Sequence, residues 1–376
     1  MPDTVAAPTN VQIATDWPAF PVLLREAAGA TVGAALYAGL GSAGQAWYRL
    51  DTQCLEAGWQ RMADFPALPP NGAACAASGS LVFVLGGAVQ AEAQPMRQSD
   101  AVWCYDTASD QWRQLDTALP LGLLGASALT RDDGGIVVFG GYHRGQFDAY
   151  CRAHAAAGEA ERAMLQRTYM ARPVADFEWN RRQWLFDAAS GALTELGALP
   201  FPGTCGAAAF RIGGWPVLAG GEIKPGLRTL LSWHALPDGS WRQAPLPATA
   251  QGEPQEGVAA AFGGLCGGVA VLAGGTNFPG AGARYAQQHL YAHAGLAKVW
   301  RRELYYFDGR DWHLLGLLPR PRAHGLAFQV GSTLLLVGGD TDGGAAMLET
   351  WSISLFITLS DQLSDEPAHA TVSHPA

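Results

Sequence analysis

Short apolar runs that end in a glycine pair recur along the chain. Each run has three to five consecutive apolar residues, a length that favours a buried strand over a helix. Glycine suits a strand end because it allows tight turns and close approach of another backbone. An early run ends in Gly39-Leu40-Gly41, and five later runs end in complete pairs: Gly86-Gly87, Gly140-Gly141, Gly220-Gly221, Gly274-Gly275 and Gly338-Gly339.

A second strand pattern completes each unit. An aromatic or aliphatic strand that ends in Asp is followed by a turn and a Trp, as in 47–51 with Trp59, 102–106 with Trp112 and 304–308 with Trp312. We expect these Trp side chains to pack between units and to have no catalytic role. Successive glycine pairs lie 47 to 80 residues apart, which fits the roughly 50-residue kelch repeat once insertions are allowed.

Six such units of four short strands predict an all-β fold, a six-bladed kelch-type β-propeller. Radial closure of this kind leaves few free sheet edges. The last unit lacks a final strand, and residues 10–20 contain a Trp and a Pro that match it. We therefore expect one domain over 10–358, with the strand near 10–20 closing the last blade, and a disordered polar tail at 361–376.

Helical insertions are predicted in blades 3 and 5, in both cases after the glycine pair. Residues 144–183 include an Ala-rich, helix-favouring stretch that stops at Pro173. Residues 277–298 lead into a second predicted helix around Tyr291 to Lys298. Because both insertions follow the same strand of their unit, they should cover one face of the disc.

The strongest candidate catalytic residues follow Gly220-Gly221, the third of the five complete glycine pairs. Glu222 and Arg228 are separated by a turn that contains Pro225 and Gly226. A carboxylate here could act as an acid or base, and the guanidinium could bind an anion. The alternative is a structural ion pair across the turn.

Composition narrows the class of protein. The chain has 376 residues, 49% of them hydrophobic and 15% charged, with 47 Gly and 23 Pro, which suits many strands and turns better than helices. A net charge of −9 argues against nucleic acid as a partner. No apolar stretch approaches the roughly 18 residues of a membrane span.

The six cysteines are scattered without a Cys-x-x-Cys pair or a His pair at metal spacing. We expect mostly free, buried thiols, and neither a metal nor another cofactor. Residues 1–30 lack the basic start and apolar core of a secretory signal. The expected location is therefore cytoplasmic.

Four sequence strings carry a resemblance to a known family. The strings are Gly39-Leu-Gly-Ser-Ala-Gly44 with Trp47-Tyr48, Gly221-Glu-Ile-Lys-Pro-Gly-Leu-Arg-Thr229, Gly274-Gly-Thr-Asn-Phe-Pro-Gly280 and Tyr291-Ala-His-Ala-Gly-Leu296. Over residues 15 to 355 the chain resembles the bacterial N-acetylneuraminate epimerases, or sialic acid mutarotases, which are six-bladed kelch propellers. The resemblance implies that Glu222 is the proton acceptor, that Arg228 is a critical active-site residue, and that a sialic acid is the small-molecule partner. Exported members of that family make the periplasm the alternative location.

The implied activity is that of an isomerase that interconverts the α and β anomers of N-acetylneuraminic acid. The anomeric hydroxyl must lose a proton and the ring oxygen must gain one, so no metal or redox cofactor is required. Glu222 would act as the base. Arg228 would bind the substrate's carboxylate, since a planar guanidinium matches it better than an ammonium group does.

Five further residues are weaker candidates for substrate binding. Arg322 starts an innermost strand and could point into the central channel as a second anion ligand. Asn277, just past a glycine pair, could bind sugar hydroxyls or the N-acetyl group. His293, on the predicted helix, is either a packing residue or a proton donor. Ser42 and Tyr142 occupy matching loops, where they bind substrate or only cap turns.

A kelch propeller is also compatible with other functions. A non-catalytic kelch scaffold that binds a protein is the main rival, because a fold alone does not determine function. A mutarotase for another acidic sugar is also open, as is assembly into a homodimer. A copper oxidase is disfavoured because the chain has no Tyr-Cys and His set at matching loops. A sialidase is disfavoured because the chain has no Asp-box repeats.

Overall fold

Six four-stranded antiparallel sheets surround a central axis in the computed structural model, which describes residues 7–356. The first strand of each sheet contacts the first strands of the sheets on either side, so the six sheets close into a ring. The predicted six-bladed β-propeller is therefore confirmed. The predicted tail, 361–376, lies outside the described residues.

The first half of the chain forms blades 1 to 3. The first strand of the described residues is β1 (Asn10–Trp17). Blade 1 contains β2 (Ala28–Val32), β3 (Ala35–Gly39), β4 (Trp47–Asp51) and β5 (Gln60–Arg61). Blade 2 contains β6 (Ala74–Ser78), β7 (Leu81–Leu85), the hairpin β8 (Ala88–Val89) and β9 (Arg97–Gln98), β10 (Ala101–Asp106) and β11 (Gln111–Ala118). Blade 3 contains β12 (Ser127–Thr130), β13 (Ile136–Phe139), α1 (Arg144–Ala156), α2 (Glu159–Met170), β14 (Arg182–Phe186) and β15 (Leu193–Ala198).

The second half forms blades 4 to 6. Blade 4 contains β16 (Ala208–Ile212), β17 (Trp215–Ala219), the hairpin β18 (Glu222–Lys224) and β19 (Leu227–Arg228), β20 (Leu231–Ala235) and β21 (Trp241–Pro245). Blade 5 contains β22 (Phe262–Cys266), β23 (Val269–Ala273), β24 (Thr276–Asn277), α3 (Ala281–Ala286), β25 (Val299–Trp300), β26 (Glu303–Phe307) and β27 (Trp312–Leu317). Blade 6 contains β28 (Leu326–Val330), β29 (Thr333–Val337), the hairpin β30 (Asp340–Thr341) and β31 (Ala345–Ala346), and β32 (Thr350–Phe356).

Strand β1 is the outermost strand of blade 6. It pairs antiparallel with β32, with Asn10 opposite Phe356 and Ile13 opposite Ile353. The hydroxyl of Thr350 also donates to the carbonyl of Pro18 at 2.7 Å. The two ends of the described chain are thus joined within one sheet.

The repeated Trp residues pack between neighbouring blades, as the sequence predicts. The Trp112 ring lies edge-on to Trp47 and Phe65, with centroid distances of 5.2 Å and 5.1 Å. The Trp312 indole N–H donates to the Ser232 hydroxyl at 2.7 Å. Large aromatic area and a satisfied N–H make these rings structural.

A closed circle of six backbone hydrogen bonds joins the blades around the axis. One residue from each blade donates its N–H to the carbonyl of the equivalent residue in the preceding blade, at N···O distances of 2.7 to 3.2 Å. All six residues have a positive φ, between 50° and 69°. We call this circle the axial ring, and its members are Glu26, Gly72, Gly125, Gly206, Ala260 and His324.

The glycine pairs join each blade to its neighbour beside this ring. The N–H of Gly221 donates to the carbonyl of Val258 in the next blade at 2.7 Å. Gly220 has φ +65°, and a Cβ placed there would lie 2.3 Å from the same carbonyl oxygen. The pair is therefore glycine because another backbone occupies the side-chain position.

Helical insertions are present in blades 3 and 5, as predicted, but the helix in blade 5 lies earlier in the sequence than predicted. It is α3, Ala281–Ala286, whereas residues 291–295 form turns. The carboxylate of Glu256 accepts the N–H groups of Gly280 and Gly282, at 3.0 and 2.8 Å, at the start of α3. This acceptor comes from a different segment, so local sequence could not indicate where the helix begins.

Lys224 connects both insertions to the β18–β19 hairpin. Its side chain is fully buried, and its ammonium donates to the carbonyls of Met170 (2.9 Å), Leu290 (2.6 Å) and Arg172. Burial lowers the pKa of Lys224 to about 8. The carbonyls belong to the ends of the two insertions, so one cation holds both against the hairpin.

Alanine at Gly220 should destabilise the protein far more than alanine at Gly206. Both residues have φ +65°, but at Gly206 the nearest atom to an added Cβ is 3.5 Å away, against 2.3 Å at Gly220. We expect G206A to lower the free energy of unfolding by about 1–2 kcal/mol, the penalty of a left-handed conformation. The clash should take the loss for G220A above ~3 kcal/mol. Equal urea midpoints for the two variants would contradict this account.

Replacing Lys224 by Met should also destabilise the protein. The variant leaves three buried carbonyls without a donor, so we expect a loss of about 3 kcal/mol in urea unfolding. Lys298→Met is the matched control, because that lysine is only partly buried and its replacement should change stability by about 1 kcal/mol or less. A K224M protein as stable as wild type would show that Lys224 does not anchor the insertions.

Candidate active site

A cavity of about 580 Å³ lies on the axis of the propeller. All six residues of the axial ring line it, and so does Phe147 of α1. A second cavity of about 330 Å³ adjoins it and shares Glu26, Asn71, Lys298 and His324 in its wall. Each blade thus brings one loop to a shared well, beneath the first helical insertion.

Glu222 and Arg228 form an ion pair in the wall of this well. They lie opposite each other in the β18–β19 hairpin, and Nη1 of Arg228 is 2.7 Å from Oε1 of Glu222. Their side chains are only 5% exposed for Arg228 and 17% exposed for Glu222. The turn between them has Gly226 at φ +79°, and its N–H donates to Oε1 of Glu222 at 3.2 Å. A tight two-strand hairpin therefore holds the two charges together.

The Arg228 guanidinium is fixed by contacts other than the carboxylate. Its Nε donates to the Thr276 carbonyl at 3.2 Å, and its central carbon lies 4.8 Å from the Phe278 ring centroid. Nη1 is close to Glu222, yet its N–H bonds are not aligned with any acceptor among the described residues. The guanidinium is thus held in place by Glu222, the Thr276 carbonyl and the Phe278 ring.

Tyr142 completes the immediate surroundings of Glu222. Its hydroxyl donates to Oε2 at 3.3 Å, and its ring packs on Trp179 with a centroid distance of 4.2 Å. Burial, and then the Glu222 carboxylate, raise the pKa of Tyr142 well above its ordinary value. Tyr142 therefore remains a neutral donor to Glu222.

His293 lies behind the hairpin rather than in the wall of the well. Its ring fills the space beside Gly226, where an added Cβ would lie 1.8 Å from its Nδ1. It also packs against Phe278 and Tyr291, at centroid distances of 5.0 and 4.9 Å. Burial lowers the pKa of His293, and the Glu222 carboxylate opposes that shift. This position supports a packing role for His293 over a role as proton donor.

Contrary to the expectation from the sequence, Arg322 does not point into the central channel. It is fully buried, its guanidinium lies 4.6 Å from the Trp351 ring centroid, and it donates to the carbonyls of Gly338 (2.8 Å) and Glu349. Burial lowers the pKa of Arg322 to about 9. The residue precedes β28 rather than starting it, so its side chain enters the interior of blade 6.

Asn277 and Ser42 also make contacts that support loops. The Asn277 side chain is buried and donates to the Gly257 carbonyl at 3.0 Å. The Ser42 hydroxyl donates to the Leu23 carbonyl at 2.9 Å and accepts the Arg25 N–H at 2.7 Å. Ser42 lines the smaller cavity, away from Glu222.

Three charged or titratable residues of the well escaped the sequence analysis. Lys298 Nζ lies 3.2 Å from His324 Nε2, and His324 Nδ1 lies 2.7 Å from Asp340 Oδ1. His324 is two positions beyond Arg322, the residue of this segment that the sequence pointed to instead. Its backbone lies in the axial ring, and that placement depends on contacts between blades.

Within residues 7–356, no cluster of three or more His, Cys, Asp or Glu side chains is arranged to hold a metal ion. No helix in the same part of the chain has the length and apolar character needed to cross a bilayer. All six cysteines are free thiols.

Comparison with known proteins gives one consistent family. The sequence model of the N-acetylneuraminate epimerase family matches residues 17–355. The N-acetylneuraminate epimerase of Yersinia pestis (strain Pestoides F) is 38% identical over 341 residues, which cover 89% of this chain and 87% of that protein. The protein of the same name from Brucella melitensis biotype 1 is 40% identical over 355 residues, 91% of each chain.

A solved structure agrees with the sequence comparisons. The structure of YjhT superimposes with a TM-score of 0.85 at 30% sequence identity, and the match covers 90% of this chain and 97% of that one. The family model spans the ring, the hairpin and both insertions. On this evidence, the chain belongs to the N-acetylneuraminate epimerase family.

Proposed function

We propose that this protein interconverts the α and β anomers of N-acetylneuraminic acid. Membership of the N-acetylneuraminate epimerase family supports a sialic acid as the substrate. The observation that carries the proposal is the Glu222–Arg228 pair, 2.7 Å apart in the wall of the axial well. The well's volume, about 580 Å³, lies within the range of roughly 300–1,000 Å³ that is usual for small-molecule sites.

Glu222 is positioned to act as the base. Its carboxylate borders the cavity and is mostly withdrawn from solvent, so a bound sugar can displace water from it. In the reaction it takes the proton of the anomeric hydroxyl while the ring opens. Tyr142 and Gly226 each donate to one carboxylate oxygen, at 3.3 and 3.2 Å, which leaves the remaining lone pairs for substrate.

Arg228 is positioned to bind the substrate's carboxylate. A purely structural pair would be expected to place guanidinium N–H groups on both carboxylate oxygens. Here the contact is between Nη1 of Arg228 and Oε1 of Glu222, and Arg228 also lines the cavity. Nε and the Phe278 ring hold the guanidinium in place, so an anionic sugar can pair with it without rearranging it, which favours binding.

Two alternatives make different predictions. A mutarotase for another acidic sugar would use the same two residues, and competition by that sugar would reveal it. A non-catalytic kelch scaffold has no need for a buried ion pair in an axial well, and its function would survive the loss of the Glu222 carboxylate.

Glu222→Gln should abolish most of the acceleration. Proton NMR of freshly released α-N-acetylneuraminate measures the rate of conversion to the β anomer with and without protein. Because general base catalysis contributes roughly 10²- to 10⁴-fold, we expect kcat to fall by a factor in that range. Glu195→Gln is the matched control, since Glu195 is an exposed residue of β15 and should retain wild-type activity. A wild-type protein that leaves the spontaneous rate unchanged would remove the proposal.

Arg228→Lys should weaken substrate use despite keeping the positive charge. Loss of charge-assisted hydrogen bonds worth about 1.5–3 kcal/mol should lower kcat/KM roughly 10- to 100-fold. The methyl ester of the sugar, which lacks the carboxylate charge, provides the control substrate. Wild type and R228K should differ much less on the ester than on the acid. Equal losses on both substrates would show that Arg228 does not bind the carboxylate.

A further inference from the structure

A second group of charges lines the same well as Glu222 and Arg228. Lys298 Nζ is 3.2 Å from His324 Nε2, and His324 Nδ1 is 2.7 Å from an oxygen of Asp340. Lys298 and His324 line both the main cavity and the smaller one beside it. The loops come from blades 5 and 6, whereas the Glu222–Arg228 hairpin belongs to blade 4.

The direction of the hydrogen bonds in this group is determined by Asp340. Its carboxylate accepts from Trp300 Nε1 at 2.7 Å and from Arg25 at 3.3 Å, which keeps it ionised and in place. It must therefore accept the Nδ1–H of His324, which leaves the Nε2 lone pair facing Lys298. The Lys298 ammonium then donates one hydrogen bond to Nε2 of His324, and its two other N–H groups remain available to a ligand in the cavity.

His324 is held in a conformation that is unfavourable for its residue type. Its φ is +60°, and its N–H and carbonyl are both hydrogen bonded within the axial ring. Three members of that ring are glycine, so a histidine at the equivalent position retains strain that glycine would relieve. Strain of this kind is found most often at functional sites.

Lysine is also a rare choice in this chain. Only two of its 24 Lys and Arg residues are lysines, Lys224 and Lys298. Lys224 is a fully buried anchor outside the wall of the well, so Lys298 is the lysine that faces the substrate. An ammonium group can release a proton near neutral pH once it is desolvated, whereas a guanidinium cannot.

We propose that Lys298 is the acid that protonates the ring oxygen, and that His324 and Asp340 position it. This assignment rests on the anomer interconversion proposed above and supplies its missing proton donor. In ring opening, Glu222 takes the proton of the anomeric hydroxyl and Lys298 gives a proton to the ring oxygen. The bond between the anomeric carbon and the ring oxygen breaks, its electron pair stays on that oxygen, and the anomeric C=O bond forms.

Ring closure reverses both transfers. After rotation about the bond next to the ketone, the neutral Lys298 amine takes back the proton from the attacking hydroxyl. Protonated Glu222 returns its proton to the former carbonyl oxygen. No proton, electron or other group is gained or lost overall, so the site is ready for the next substrate without a co-reactant.

The charges around Lys298 fit an acid that works near neutral pH. Burial, and then the Arg228 guanidinium, lower the pKa of Lys298, while the carboxylates of Asp340, Glu222 and Glu26 oppose the shift. An acid is active only while protonated, so activity should fall as pH rises through the pKa of Lys298. The fall in activity should therefore occur at a pH below the ordinary lysine pKa of about 10.4.

Lys298→Met tests the assignment directly. We expect kcat for anomer interconversion to fall roughly 10²- to 10⁴-fold, with a change in KM of less than about threefold. Lys298→Arg should also be slow and should lose the alkaline fall in rate, because arginine stays protonated. Arg310→Met, which replaces an 82% exposed side chain, is the control and should match wild type. Wild-type kcat in K298M would overturn the assignment.

The two-lysine composition provides a readout that is independent of activity. Protein labelled with [ε-¹³C]lysine should show two side-chain signals, and K298R identifies the one from Lys298. That signal should titrate with a pKa that matches the alkaline limb of the wild-type rate profile. If the limb instead follows the Lys224 signal, or neither signal, Lys298 is not the acid.

His324→Asn separates positioning from a structural role. Asparagine tolerates a positive φ, so the axial ring should persist and the urea midpoint should change little. We expect kcat to fall about tenfold or more, and the Lys298 NMR titration to shift, with KM nearly unchanged. An unshifted titration together with wild-type kcat would overturn the positioning role.

Failure of this inference is distinguishable from failure of the proposed function. A wild-type protein without effect on N-acetylneuraminate would remove both. A wild-type protein that is active and sensitive to E222Q, but unchanged by K298M, would remove only the acid. The labelled-lysine titration is read in every case, because it does not depend on substrate.

Discussion

The axial ring is the constraint on which the rest of this structure depends. Six N–H to carbonyl bonds, one per blade, run in a single direction around the axis at 2.7 to 3.2 Å. Backbone N–H and C=O groups need hydrogen-bond partners, and the ring pairs one of each from every blade. Pairing them with one another requires a positive φ at every member. That requirement brings one loop from each blade to the rim of the same well.

Packing residues lie outside the axial ring, and side chains that can contact a substrate lie at the ring. Outside it, aromatic side chains such as Trp112 and Trp47 fill the gaps between blades, and the glycine pairs leave space for neighbouring carbonyls. At the ring, the side chains of Glu26 and His324 enter the cavity from strained backbone positions. Strain that packing elsewhere must offset is thus concentrated where substrate would bind.

The charged side chains around the well form two groups. The hairpin of blade 4 carries a carboxylate with a guanidinium, and the loops of blades 5 and 6 carry an ammonium, an imidazole and a carboxylate. Glu222 is paired with Arg228, and Asp340 with Arg25, which reduces the penalty of desolvation for these carboxylates. Lys224 secures the hairpin by linking both insertions to it. A ring-opening reaction that needs a base and an acid on different atoms suits this division.

The sequence by itself determined the repeated fold, because glycine pairs and Trp positions report local turns and packing that recur in every blade. It also determined the Glu222 and Arg228 pair, since a Pro-Gly turn brings two residues of one short segment together. Only the tertiary structure decided that Arg322 is buried while His324 faces the well, and that α3 begins where Glu256 meets it. Lys298, His324 and Asp340 likewise come together only through the ring. Contacts between blades are long-range, and no local pattern of residues encodes which side of a loop will face the axis.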